Sequence, residues 1–275
     1  MIEPFFFDSS ELDALADKHA STYQSNDPFP HIVIDDFLPE WVVDRVLEEF
    51  PSPDTDVWRR YSNQRAEKLE SQAAEHLGPF TRQLFGELNS AVFVSFLQKL
   101  TGIAEPLIPD PYFEGGGLHQ IPRGGMLKVH ADFNRSKFLD LDRRVNALIY
   151  LNKDWEEAYG GHLELWDTEM TGAEEKVLPI AGRLAVFSTT DFSFHGHPDP
   201  LSCPEDRSRR SIALYYFSPG RPPEEISGDH STLFKARPGE KIVVDRKEQA
   251  RTFARRLTPP IVHDGVRAAK RRLGS

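Results

Sequence analysis

The sequence is short of several things, and each shortage removes a class of protein. One cysteine, Cys203, stands among 275 residues, so neither an internal disulfide nor a cysteine-built zinc cluster can form, and a thiol beside Pro204 in a polar loop reads as incidental. No apolar run approaches the roughly 20 residues that a membrane span needs, so no membrane partner is expected. The opening Met1-Ile2-Glu3-Pro4-Phe5-Phe6-Phe7-Asp8 has no basic stretch leading into an apolar one, so no secretory leader is expected and a cytoplasmic setting is. Positive charge is in deficit: 33 Lys and Arg against 43 Asp and Glu leave a net charge of −10, which argues against a nucleic-acid partner. What remains, 39% hydrophobic and 28% charged, suits a globular chain large enough to bury a core.

The patterning divides the chain into three parts. Up to about residue 102 helical spacing dominates. A helix is expected over about 9 to 24, capped by Ser9 or Ser10. The apolar run Phe29-Pro30-His31-Ile32-Val33-Ile34 reads as a strand, and Pro39 then opens a helix with Trp41, Val42, Val46 and Leu47 as its stripe. Further helices are expected over about 65 to 77 and 79 to 100, so this part reads as a helical scaffold for a sheet. From 103 to 219 short strands separated by Gly, Pro and Asp take over, near 118–121, 126–131, 145–151, 162–166, 176–179, 183–188, 193–197 and 209–217. Without βαβ spacing they imply a mainly β fold with flanking helices, a double-stranded β-helix or cupin-like jelly roll. Gly160-Gly161 reads as a bulge or tight turn. From 220 to 275 a loop-rich extension ends in two basic helices split by Pro259-Pro260, whose Arg267, Lys270, Arg271 and Arg272 suit a solvated face. All three parts fit one compact unit.

The chemistry gathers around Met126 to Asn134. In an extended strand residues i and i+2 share a face, so His130 and Asp132 present an imidazole nitrogen and a carboxylate oxygen side by side. Two ligands are too few for a catalytic ion, and His195, in Phe194-His195-Gly196-His197-Pro198, is the expected third. Two His and one carboxylate, with the opposite positions open, is the donor set of non-haem Fe(II) oxygenases. A chelating 2-oxo acid suits that vacancy, and its second carboxylate calls for a planar guanidinium. Arg209 shares a face of its strand with Ser211, and Tyr150 can add a phenolic hydrogen bond; Arg210, the rival, alternates outward with Ile212. Asn146, on Tyr150's face, and Ser211 are further expected cosubstrate contacts. Arg123, Asn134, Trp166 and His197 are candidates for the substrate mouth. His31, His76 and His119 lack a partner at metal-site spacing and read as ordinary imidazoles.

Taken together, His130-Ala131-Asp132, the run Arg144 to Trp155 leading into Gly160-Gly161, His195, and Arg209-Arg210-Ser211-Ile212 resemble the prolyl-4-hydroxylase-like branch of the Fe(II)/2-oxoglutarate-dependent dioxygenases. Tyr150-Leu151-Asn152-Lys153-Asp154-Trp155 is similar to the prolyl hydroxylases that act on the hypoxia-inducible transcription factor. The segment Pro28 to Leu38 resembles, with less specificity, the opening of bacterial members. The resemblance covers roughly a hundred residues. It implies Fe(II), 2-oxoglutarate and O2, and hydroxylation of an unactivated C–H of a peptidyl or small-molecule substrate with release of succinate and CO2. It also implies that Tyr150 helps hold the cosubstrate and that Asp132, where related halogenases carry a small residue, excludes halogenation. Two other readings stay open: a cupin-like metalloenzyme without a 2-oxo acid, for which Arg209 has no task, and a binding or sensing module without turnover.

Overall fold

The computed structural model describes residues 4–71, 76–136, 138–225 and 228–240. In chain order the elements are α1 (Ser9–Ser25), β1 (His31–Ile34), α2 (Glu40–Glu48), β2 (Trp58–Ser62), β3 (Glu67–Ser71), α3 (Pro79–Leu88) and α4 (Ala91–Thr101). There follow β4 (Ile108–Pro109), β5 (Gly117–Pro122), β6 (Leu127–Ala131), β7 (Asp142–Tyr150), β8 (Leu163–Trp166), β9 (Ala173–Val177), β10 (Leu184–Ser188), β11 (His195–His197), β12 (Ser208–Ser218) and β13 (Leu233–Phe234). The two helices expected from about 245 to 272 lie outside the described residues. Among the described residues no helix is long and apolar enough to cross a membrane.

Two antiparallel sheets face each other as a jelly roll. The larger runs β1-β10-β7-β12-β5-β3-β2, with β4 on the flank of β12; the smaller runs β13-β6-β11-β8-β9. Period-two patterning gives the larger sheet two unlike faces. Val145, Ala147, Ile149 and Leu151, with Ile212, Leu214 and Tyr216, join the helices' Val42, Val46, Leu84, Phe93 and Leu97 in one apolar core. The alternate residues point into the space between the sheets.

The helical layer starts and stops where local chemistry dictates. Asp8, not Ser9 or Ser10, caps α1: its carboxylate accepts from the amides of Ser10 and Glu11, which satisfies donors that a helix start leaves free. The helix expected over 79 to 100 is two. Asn89 ends α3, and the Ser90 hydroxyl accepts from the Phe93 amide to start α4, a new N-cap inside what reads as one apolar stripe. Gly102, at φ 69°, closes α4 in the left-handed conformation that glycine adopts without penalty.

The helix expected over 65 to 77 is corrected outright: Glu67–Ser71 is a strand, pairing with β2 and, through Leu69 opposite Gln120 and Glu70 opposite His119, with β5. Burial explains the override, since Leu69 enters the apolar core while Lys68 and Glu70 form a 3.1 Å ion pair on the inner face. The N-terminal part therefore supplies strands β1, β2 and β3 to the larger sheet as well as the helices that cover it.

Candidate active site

The strand β6 places His130 opposite His195 of β11, so two imidazoles distant in sequence meet across one ladder, with ring centroids 4.5 Å apart. Asp132, just past β6, completes the group: its Oδ1 lies 3.5 Å from His130 Nε2 and its Oδ2 3.4 Å from His195 Nε2. Ligand atoms of all three lie within 4.8 Å of one another. Both rings are oriented by the backbone, His130 Nδ1 against the Lys128 carbonyl at 2.8 Å and His195 Nδ1 against the Ser193 carbonyl at 2.9 Å. An Nδ1–H donated to those oxygens leaves each Nε2 lone pair aimed at the common centre, which is the orientation a metal-binding histidine needs. Phe187 packs on the His195 ring and Phe234 on the His130 ring.

The carboxylate is held as tightly. Asp132 Oδ2 accepts from Arg143 Nη2 and from Asn146 Nδ2, each at 2.8 Å, while Asn146 Oδ1 accepts from Arg143. Arg143 is 1% exposed, its guanidinium clamped between the rings of Phe133 and Tyr215 at 4.5 and 3.4 Å. Burial alone pushes the Asp132 carboxyl up, but the Arg143 charge, the His195 ring and the hydrogen bonds outweigh it and hold it well below the usual carboxylate range. The His130 imidazole is shifted down, first by burial and then by His195. An ionised carboxylate beside an imidazole whose charged form burial disfavours suits metal coordination, and the donor set of two nitrogens and one oxygen fits Fe(II).

A second cluster lies along the same interior. Arg209, 5% exposed, donates from Nε to the Gly161 carbonyl at 2.7 Å and from Nη2 to the Tyr150 hydroxyl at 3.5 Å, with its guanidinium 4.9 Å from the centre of the Tyr150 ring. Among the described residues no carboxylate pairs with it. Burial lowers the Arg209 pKa and raises that of Tyr150, so both groups are held in a site that favours an incoming anion. Gly160 and Gly161 have φ of 70° and 76°, and a Cβ on Gly161 would come within 3.0 Å of Arg209 Cδ. The turn thus brings backbone against the guanidinium where a side chain has no room. Arg210 faces the other way, its guanidinium over the Phe50 ring.

The remaining candidates are scattered around this interior. Asn146, read from sequence as a cosubstrate contact, is bonded instead to Asp132 and Arg143. Ser211 is buried opposite Tyr150 and His119 in the ladders of β12. His197 is buried, with neither ring nitrogen hydrogen-bonded. Asn134 accepts from the His230 amide and donates to the Gly228 carbonyl, fastening the 228–234 segment that continues into β13. Trp166 packs with Val129, Ala131 and Phe194 on the far face of the smaller sheet, and exposed Arg123 donates to the Cys203 carbonyl; neither shares the interior of the triad.

Arg143 is the functional residue that alternation hides. Strict parity from Val145 sends it outward into the helical core. The pairing slips there, Tyr216 facing Val145 but Phe217 facing Arg143, and this extra residue on β7 turns Arg143 inward beside Asn146. A buried-side arginine in an apolar strand is the only signal the sequence offers.

A family model described as the 2OG-Fe(II) oxygenase superfamily matches residues 116–263. Prolyl 3-hydroxylase OGFOD1 of Mus musculus is 26% identical over 240 residues, which is 79% of this chain and 40% of that protein; the chain thus spans about two fifths of the length of this curated relative. Among solved structures, a Trichoplax adhaerens prolyl hydroxylase, in complex with a peptide fragment of the hypoxia inducible factor oxygen degradation domain, is 20% identical. It superposes with a TM-score of 0.57 over 76% of this chain and 91% of its own. A prolyl 4-hydroxylase from Phytophthora capsici is also 20% identical, with a TM-score of 0.52 over 78% and 67% of the two chains. At such identities these likenesses concern the fold, and the jelly roll is what they share. The family match itself extends over more than half of the sequence and takes in both the His-Asp-His cluster and Arg209, so the chain belongs to the 2OG-Fe(II) oxygenase superfamily.

Proposed function

We propose that this chain is a Fe(II)- and 2-oxoglutarate-dependent oxygenase that hydroxylates an unactivated C–H of a peptidyl, prolyl-like substrate. His130, Asp132 and His195 hold the metal, and Arg209 with Tyr150 holds the cosubstrate's distal carboxylate. The observation that carries the reading is the buried Arg209 guanidinium, without a carboxylate among the described residues, in the same interior as a pre-oriented His-Asp-His cluster. A buried cation without a counter-ion costs several kcal/mol, and a dicarboxylate that chelates a metal at one end supplies that counter-ion at the other. A metalloenzyme with no 2-oxo acid leaves Arg209 unexplained. The peptidyl choice rests on the relatives: OGFOD1 is named a prolyl 3-hydroxylase, and both structural neighbours described above are prolyl hydroxylases. A cytoplasmic setting goes with this reading, since the one cysteine, Cys203, is a free thiol.

Iron held by His130, Asp132 and His195 would supply the oxidising chemistry, by which 2-oxoglutarate, O2 and the substrate C–H would give succinate, CO2 and the hydroxylated product, one oxygen atom going to each of succinate and product. The protein's part is positioning and exclusion of water. The Nε2 atoms of His130 and His195 present lone pairs, and Asp132 offers Oδ1 while Arg143 and Asn146 keep Oδ2 occupied. Arg209 and Tyr150 would hold the far carboxylate of the keto acid. The rings of Phe187 and Phe234 keep solvent off the imidazoles.

The test is succinate release from 2-oxoglutarate in air with Fe(II), followed by mass analysis of prolyl peptides for one added oxygen. Fe(II)-dependent succinate is expected, abolished in Arg209→Ala while metal binding persists. Unchanged succinate in that variant overturns the cosubstrate assignment, and succinate without any modified peptide overturns the choice of a peptidyl substrate.

A further inference from the structure

His197 is the one buried histidine among the described residues with no partner. His31, His130 and His195 each direct Nδ1 to a backbone carbonyl. His197, 4% exposed, has neither Nδ1 nor Nε2 engaged. Leaving a buried polar atom unpaired costs about 1–3 kcal/mol, and such atoms are rare enough to call for a cause. Metal ligation is not that cause, because His197 stands outside the cluster formed by His130, Asp132 and His195.

Its surroundings say what is missing. The charged and titratable groups that act on it most are Arg209, then Lys68, His130 and His119, with no carboxylate among them. Lys68 is already paired with Glu70, and His119 Nε2 lies against the Gly115 carbonyl, whereas Arg209 has, among the described residues, the Gly161 carbonyl and the Tyr150 hydroxyl. Of these groups Arg209 alone is a buried cation with no carboxylate partner among the described residues. In the β8 ladder His195 lies opposite Leu165 and Gly196 opposite Glu164, a register that carries His197 toward Leu163 and so toward Gly161, whose carbonyl accepts from Arg209. A neutral imidazole carries one N–H donor, and an anion held by Arg209 is the acceptor it lacks.

We propose that His197 is a cosubstrate-binding residue that donates a hydrogen bond to the distal carboxylate of 2-oxoglutarate beside Arg209 and Tyr150. This rests on the proposed function and adds to it a third donor, which makes the far end of the pocket selective for 2-oxo diacids over 2-oxo monoacids. The β11 ladder explains why the position is available: His195 faces His130 but His197 faces Leu127. The extra residue on β6 leaves the second imidazole opposite an apolar residue.

The experiment compares 2-oxoglutarate with 2-oxobutyrate, which chelates a metal equally but has no distal carboxylate. Both are titrated anaerobically into the full chain loaded with Fe(II), with the visible absorption of the metal–keto acid chelate as readout. His197→Leu fills the space without a donor, and His197→Gln restores one. Loss of a hydrogen bond to a charged group predicts that His197→Leu weakens 2-oxoglutarate about tenfold or more, leaves 2-oxobutyrate unchanged, and that His197→Gln recovers much of the loss. Equal affinity of wild type and His197→Leu for 2-oxoglutarate overturns this inference alone. Equal weakening of both acids overturns it too, since that marks a general disturbance of the site. Failure of wild type to bind 2-oxoglutarate at all overturns the proposed function first.

Discussion

The two ends of the interior are built on opposite principles. Around Asp132 the polar groups are satisfied in advance: Arg143 and Asn146 bond one carboxylate oxygen, and both imidazoles are fixed by backbone carbonyls. Around Arg209 the donors outnumber the acceptors, and His197 has none. The first end is finished by the protein's own groups. The second is left with buried donors in excess, which the proposed anion would satisfy. Preorganised geometry at one end and unsatisfied charge at the other suit the bridging ligand proposed above.

The sharpest way to break this contrast is to remove a ligand. Asp132→Ala is expected to abolish succinate formation and metal binding together, measured by metal titration, and to leave Arg143 a buried charge without its partner. Nearly as large is Arg143→Met, which strands the carboxylate instead. Breaking a buried pair in this way costs about 3–5 kcal/mol, read as a lower midpoint in urea unfolding. Asn146→Ala is milder, since one donor to Asp132 survives, and an outer hydrogen bond of this kind is expected to lower metal affinity about 10- to 100-fold. If Arg143 and Asn146 change nothing at the metal, the first end is not preorganised as described.

At the other end Gly161→Ala sharpens the comparison. A Cβ there meets Leu201 and Arg209 at a φ of 76°, so the variant is expected to lose about 1 kcal/mol or more of stability and to weaken 2-oxoglutarate while sparing the metal. Isothermal titration of each ligand separates the two. Smallest is an effect of pH. Burial, with the charge of Lys68, pushes the His119 imidazole down to about 3. The unfolded chain takes up a proton near its ordinary value of about 6.5, so this contribution to stability is complete above that pH and is lost as pH falls toward 3. His119→Gln is expected to flatten the dependence of the urea midpoint on pH across that window.

Much of this contrast was legible in the residues. His130 and Asp132 share a face because a strand alternates, and Val145 to Leu151 against Ile212 to Tyr216 declare which side meets the helices. What stayed hidden depended on pairing rather than on patterning. Arg143 turns inward only because the β7–β12 register slips by one residue. The stretch at Glu67–Ser71 reads as helical by composition yet becomes a strand because β2 and β5 offer it ladders on both sides. His197 could be placed beside His195, but its lack of a partner is a property of everything packed around it. Local sequence carries alternation and caps; bulges, long-range ladders and unmet hydrogen bonds are set by distant segments.

The central claim is that 2-oxoglutarate is gripped at both ends, and anaerobic calorimetric titration of it into the protein tests this most directly. With Fe(II) present the wild type should bind it, and either withholding the metal or making Arg209→Ala should weaken binding by about tenfold to a hundredfold, the cost of losing a charge-assisted contact. Binding that is indifferent to both changes would contradict the account.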